Sequence, residues 1–205
     1  LSACVPFRDT SPFFGTIAAA LGGAGEASGS AFTRAQVENL RYASLQAWFD
    51  RGPKALIILA EAQDRQRLLW RSAERQSITT FGPFVVSALG IDPELRDTSF
   101  QGKWSSDPRE MVGTRATRVL DVAVEGERAL VHLESRFEVE KRETLTILER
   151  TYDLQRVTEV VSSGGRNRYE NHYWIEPSSG RYWKSRQIVV PTLPPLNIEI
   201  LKPAT

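Results

Sequence analysis

The sequence predicts a mainly β protein, an antiparallel meander curled into a barrel or half-barrel with one or two short helices. Three observations carry that prediction. Apolar and polar residues alternate with a period of two along most of the chain after residue 40. Turn-forming residues interrupt the alternation at short intervals, and no long helical pattern separates the runs. A chain of 205 residues is long enough to bury one substantial core without disulfides or a metal.

Thr33 followed by Gln36 has the spacing of a capping box, so a short helix should run to about Leu40 with Val37 and Leu40 on one face. From Tyr42 the period becomes two: Ala43, Leu45, Ala47 and Phe49 alternate with Tyr42, Ser44, Gln46 and Trp48, and Gly52-Pro53 ends the strand. Residues 54–62 are apolar on both faces, which predicts a central strand buried on two sides, Ile58 included. A strand over 67–73 follows. Ile78-Thr79-Thr80 and the run from Phe84 to Leu89 flank Gly82-Pro83 as a hairpin. Asp92-Pro93 reads as the start of a short helix or turn with Pro93 at the first helical position. Residues 104–114 are rich in Ser, Asp, Pro and Gly and suggest a long loop between two halves of the sheet. Strands are then expected over 118–124, 128–139, 144–149, 152–161, 168–176, 181–190 and 196–201.

Composition removes several function classes. With 26 basic and 25 acidic side chains the net charge is +1, so no global field favours nucleic acid. No apolar run approaches the ~18 residues that would span a bilayer as a helix. Cys4 is the sole cysteine, so no intramolecular disulfide forms, and its setting Leu1-Ser2-Ala3-Cys4 reads as a lipobox. Residues 1–3 are then the remnant of a signal peptide, and Cys4 carries acyl chains that anchor the protein to a membrane. Residues 4–32, rich in Gly, Ala and Ser, read as the acylated cysteine and a flexible tether, and 33–205 as a single β-rich domain. If fully flexible, roughly 28 residues reach ~30 Å. That distance would lift a domain clear of the lipid headgroups.

Recognisable catalytic chemistry is sparse. His132 and His172 have no second ligand at metal-site spacing, no serine sits in a G-x-S-x-G setting and no Gly-rich phosphate loop opens a helix, so neither a metal nor a cofactor is expected. His132 alternates with Glu134 and Arg136, as on a wet sheet surface. The polar-aromatic segment Tyr169-Glu170-Asn171-His172-Tyr173-Trp174, with Tyr182-Trp183 beyond a turn, is the one concentration of candidate ligand-binding groups. A four-residue turn would set Trp174 opposite Trp183. The pair then serves either as cross-strand packing or as a platform for a sugar ring or apolar chain, oriented by Asn171 or His172.

The lipobox, the tract from Gln36 to Leu45, Leu69-Trp70, Asn171-His172-Tyr173-Trp174 and Leu201-Lys202-Pro203 together resemble the YjbF/GfcB family of lipoproteins. The resemblance covers nearly the whole chain. It implies exopolysaccharide or group 4 capsule production and a place at the outer membrane, anchored on the periplasmic side through Cys4. Val5 fits outer-membrane sorting. No catalytic residue is implied, and the expected role is non-enzymatic: binding the polysaccharide or a protein of the secretion complex. A half-barrel carrier with an acyl chain in its concave side, and a polysaccharide-modifying enzyme, are the alternatives.

Overall fold

The computed structural model describes residues 32–50, 52–63, 66–165 and 167–204, apart from the side chain of Asn167. Apart from Phe32, the expected signal remnant and tether lie outside the described residues. Helix α1 (Arg34–Glu38) forms where the capping box predicts it: Thr33 accepts from the Gln36 backbone N–H, and the Gln36 side chain returns the bond to the Thr33 N–H. Val37 is its buried residue, and Phe32 also enters the core.

The remaining elements are β1 (Ser44–Phe49), β2 (Ala55–Ala62), β3 (Arg67–Arg71), β4 (Ser77–Phe81), β5 (Phe84–Leu89), β6 (Glu94–Gln101), β7 (Arg115–Val124), β8 (Glu127–Ile147), β9 (Arg150–Ser163), β10 (Asn167–Ile175), β11 (Tyr182–Gln187) and β12 (Leu196–Lys202). Each pairs antiparallel with its sequence neighbours, and the circle closes where β1 lies between β2 and β12. Of the two shapes expected, barrel or half-barrel, the chain adopts the closed one.

Closing a sheet gives it one inner face, which alternate residues fill. Ala116, Arg118, Leu120 and Val122 are the buried positions of β7, and Leu133, Ser135 and Phe137 those of the first part of β8. Trp70, Phe84, Tyr173 and Leu133 occupy the interior, so the barrel is packed rather than hollow.

Several expectations need correction. β2 is not buried on both sides: Ala55 and Ile57 are 1% exposed, whereas Ile58 is 37% exposed, because a strand of this barrel faces the filled interior on one side and solvent on the other. β1 is covered on both faces instead, with Ser44, Leu45, Gln46 and Ala47 all buried. Pro93 starts no helix; β6 begins at Glu94 and pairs with β7. The loop after β6 does not divide the sheet, since that ladder is continuous around it. Instead it carries a 3₁₀ turn, Pro108–Met111, and brings Trp104 and Met111 against Phe84 and Phe137. Gly82 is needed beneath it: its φ is +55°, and a Cβ there would lie 2.1 Å from the Ser106 carbonyl oxygen. Finally, the strands expected over 128–139 and 144–149 are one strand, β8, with an irregularity between Val139 and Arg142.

That irregularity reverses which side of the β8–β9 hairpin is buried. Val157, Glu159 and Val161 are buried in the upper part of β9, but Tyr152 and Leu154 near the turn. A bulge redirects a strand in this way. The end of the hairpin contacts β12, and Arg34 of α1 donates to the Leu148 carbonyl at its tip.

Inside the barrel a polar cluster interrupts the apolar core. Glu159 is fully buried and accepts from Arg118 (2.7 Å), Ser135 (2.5 Å), Asn171 (2.8 Å) and Tyr173 (2.6 Å). Asn171 also accepts from the Ile188 backbone N–H, and Arg118 lies over the Trp104 ring. Burial alone would push the Glu159 carboxyl up; the Arg118 guanidinium and the three neutral donors outweigh it and hold it below its ordinary value. Across the interior, Gln187 accepts from the Val85 N–H and donates to the Pro83 carbonyl. It thereby supplies backbone partners to β5, which shares one ladder position with β6 among the described residues, Ala88 with Leu95.

Two outcomes follow for stability. Glu159→Gln should cost about 3–5 kcal/mol, because it strands Arg118 without its counter-charge, and the double change Arg118→Met with Glu159→Gln should be less damaging than the sum of the two. Urea melts of the four proteins measure the coupling. The pH dependence has a fixed sign. A depressed carboxyl contributes its full stabilisation above the ordinary value of 4.5 and loses it as pH falls through the lower folded value, so Glu159→Gln should flatten the acid limb of the stability curve. Ile57→Asp should unfold the barrel, since burying a lone carboxylate costs several kcal/mol against a typical total of about 5–15 kcal/mol. Ile58→Asp should change stability by less than ~1 kcal/mol, and thermal melts of the two variants separate the inner from the outer face.

Candidate functional site

The polar-aromatic segment of β10 is split by the alternation of its strand. Asn171 and Tyr173 point inward to Glu159 and are 1% and 0% exposed. His172 and Trp174 lie on the outer face, ring centroids 6.0 Å apart. There Trp174 donates to Glu143 (2.8 Å), and Arg156 pairs with Glu143 and Glu140. Thr158 bonds both Glu140 and the Nδ1 of His172. Partial burial, with Arg156 nearby, pushes the His172 imidazole below its usual range. The Arg156 hydrogen bond, seconded by Thr158, lowers the Glu140 carboxyl. These groups satisfy one another and fasten the β8–β9 hairpin over β10.

Trp183 does not stand opposite Trp174. The register of β10 and β11 shifts between Trp174 and Ile175, so Trp174 pairs with Lys184 and Ile175 with Tyr182, leaving Trp183 in the irregularity. Both indoles are buried, Trp174 at 8% and Trp183 at 6% exposure. Cys4 lies outside the described residues. His132 is exposed, as its alternation predicts.

Trp183 instead joins a cleft of about 310 Å³ between α1, the tip of the β8–β9 hairpin, the β10–β11 turn and the end of β12. Its wall is a stacked pair, Tyr152 and Trp183, with centroids 4.1 Å apart and planes tilted 35°. The exposed Arg150 lies 5.2 Å from the Tyr152 ring, and the exposed Arg181 lies 5.9 Å from the Trp183 ring. Stacking orders each guanidinium yet leaves its N–H edges open. Arg34 and Lys202 add two cations, though both also donate to backbone carbonyls, and Glu38 and Glu176 bring negative charge to the rim. The Trp183 Nε1 has no hydrogen-bond partner among the described residues. An apolar wall with flanking cations suits an oxygen-rich, negatively charged ligand with a flat apolar side. Sequence reading reached Trp183 and missed Tyr152, Arg150 and Arg181. The signal was present in Arg150-Thr151-Tyr152 and Arg181-Tyr182-Trp183, because residues two apart on a strand share a face.

A family model described as group 4 capsule polysaccharide lipoprotein GfcB, YjbF matches residues 14–201. The uncharacterized lipoprotein GfcB of Escherichia coli K12 is 23% identical over 176 residues, which cover 82% of this chain and 80% of that one. The crystal structure of the hypothetical lipoprotein YmcC from Escherichia coli K12 superimposes with a TM-score of 0.75 at 21% identity, covering 84% of this chain and 90% of its own. The matched span takes in β1 to β11 and all of β12 but Lys202, and this chain belongs to the YjbF/GfcB family of group 4 capsule polysaccharide lipoproteins.

Proposed function

We propose that the protein is anchored through acylated Cys4 to the periplasmic side of the outer membrane and assists secretion of a capsular polysaccharide by binding it, without catalysing a reaction. The observation that carries this reading is the cleft in which Arg150 and Arg181 flank the stacked Tyr152 and Trp183. Aromatic side chains offer a sugar the apolar side it needs, and guanidinium groups take its carboxylates through paired hydrogen bonds. The packed interior disfavours the carrier alternative, since an acyl chain would have to displace residues such as Trp70, Phe84 and Tyr173.

Arg181→Gln should weaken binding of the host's purified capsular polysaccharide by about tenfold or more, the effect of losing one charge-assisted contact. Its melting temperature should stay within about 2 °C of wild type because the side chain is exposed. Titration and thermal melts on the same preparation test this, and unchanged affinity would remove the cleft from the reading. Trp183→Ala should instead lower stability by about 3–5 kcal/mol. For the anchor, Cys4→Ser should leave a folded domain but move it from the membrane fraction to the soluble one, because acyl chains supply the membrane affinity. Continued pelleting of the serine variant with outer membranes at high salt would contradict the lipid anchor.

A further inference from the structure

A second cleft, of about 420 Å³, lies toward the other end of β9 and β10. Its lining includes Arg115 and Thr117 of β7, Arg136 of β8, Ser162 of β9 and Arg168 of β10. Along β10, Arg168 is near the start while the first cleft lies beyond the end at Glu176, and along β9 the first cleft takes Arg150 while the second takes Ser162.

The arrangement of charge here is unusual. Arg115 and Arg136 are directly opposed in the β7–β8 register. Like charges at opposed positions destabilise a sheet. Arg168 is paired with Ser162, and Ser162 is itself opposite Glu134, the neighbour of Arg136 along the same face of β8. All three arginines are exposed, and none forms an ion pair or side-chain hydrogen bond among the described residues. Glu134 lines the cleft too, but forms no ion pair with any of them among the described residues. Four other strand arginines do find carboxylates: Arg128 with Asp121, Arg142 with Asp153, Arg156 with Glu140 and Glu143, and Arg186 with Asp50. Behind the cleft the wall is fixed, because Ser135 is buried and donates to Glu159, which holds Arg118. The three guanidinium forks thus stand on a rigid sheet, and Ser162 offers a hydroxyl beside them. Guanidinium forks match the paired oxygens of carboxylate and phosphate, and the volume falls in the range of small-ligand sites.

We propose that Arg115, Arg136 and Arg168 form an oxyanion site that takes a carboxylate or phosphate group borne on a larger ligand. The site stands on its own charges and register, and it does not depend on the glycan reading of the first cleft. The like-charge repulsion between Arg115 and Arg136 is relieved when the anion is bound.

The test is a thermal-shift and calorimetric titration of the purified full-length chain with galacturonate oligomers and, separately, with inorganic phosphate, each against sodium chloride at matched ionic strength and against neutral dextran. At tenfold its dissociation constant, a bound anion should raise the melting temperature by roughly 3–6 °C. A response to galacturonate assigns carboxylate, and a response to phosphate assigns phosphate. Arg136→Gln and Arg168→Gln should each weaken that binding at least tenfold. Arg136→Gln should also melt no lower than wild type in anion-free, low-salt buffer, since it removes an opposed charge. The proposal is overturned if neither anion shifts the melt beyond chloride, or if both variants respond as wild type. It is also overturned if Arg136→Gln melts well below wild type without anion, which would make the arginine a structural brace. Loss of the response in Arg181→Gln with retention in Arg136→Gln would place the anion in the first cleft instead, overturning this site while supporting that one.

Discussion

Glu159 carries its charge into the interior of the barrel, and four consecutive strands are organised around it. Arg118 comes from β7, Ser135 from β8, Glu159 from β9, and Asn171 and Tyr173 from β10. A carboxylate out of water is tolerable when its oxygens are fully occupied, and here they are. A slip of one residue on any of these strands would turn its contribution to the outer face. The cluster therefore ties the desolvation of one charge to the register of a third of the barrel. Apolar residues alone tolerate neighbouring registers more readily, because one aliphatic side chain substitutes for another.

The registers fixed there bear on both clefts. Arg115 and Arg136 oppose one another because Arg118 and Ser135, on the same two strands, turn inward at the cluster. In the other direction the regular pairing of β8 with β9 ends between Val139 and Arg142, and the hairpin beyond exposes the opposite parity. Tyr152 and Leu154 are buried there, and Arg150 stands beside them in reach of solvent. The first cleft is thus a product of the bulge, and the second of the regular ladder that precedes it.

Much of the fold was legible from local rules. Thr33 and Gln36 announced the helix through a cap that operates over three residues, and strand alternation located most of the ladder. The failures occurred where a local signal was overruled by a partner distant in sequence. The charged run from Glu140 to Glu143 fell between two expected strands, but Glu140, Arg142 and Glu143 pair with Arg156 and Asp153 across the ladder and carry β8 through it. Residues 54–62 were apolar enough for two buried faces, yet closure supplies the strand with one. At the site, Trp183 was visible as an unusual residue, while its stacking partner Tyr152 was not. The register shift between Trp174 and Ile175 takes Trp183 away from the position opposite Trp174, and nothing local in the sequence marks that shift.

The joint between β1 and β12 has a consequence for how the molecule comes to exist. Gln46 pairs with Glu199, and Ala47 with Ile198, so the barrel is shut by residues from the two ends of the described chain. Contacts so far apart in sequence are slow to form because the intervening chain must first be brought to order. As the polypeptide emerges from its N-terminal end, β1 can acquire β2 early, but its other edge has nothing to hydrogen-bond until the final strand arrives. Throughout that interval the growing sheet presents an open edge of the kind to which other chains adhere. A protein built this way is exposed to misassembly for as long as β12 is missing, and a chain that lacked it would keep that edge permanently.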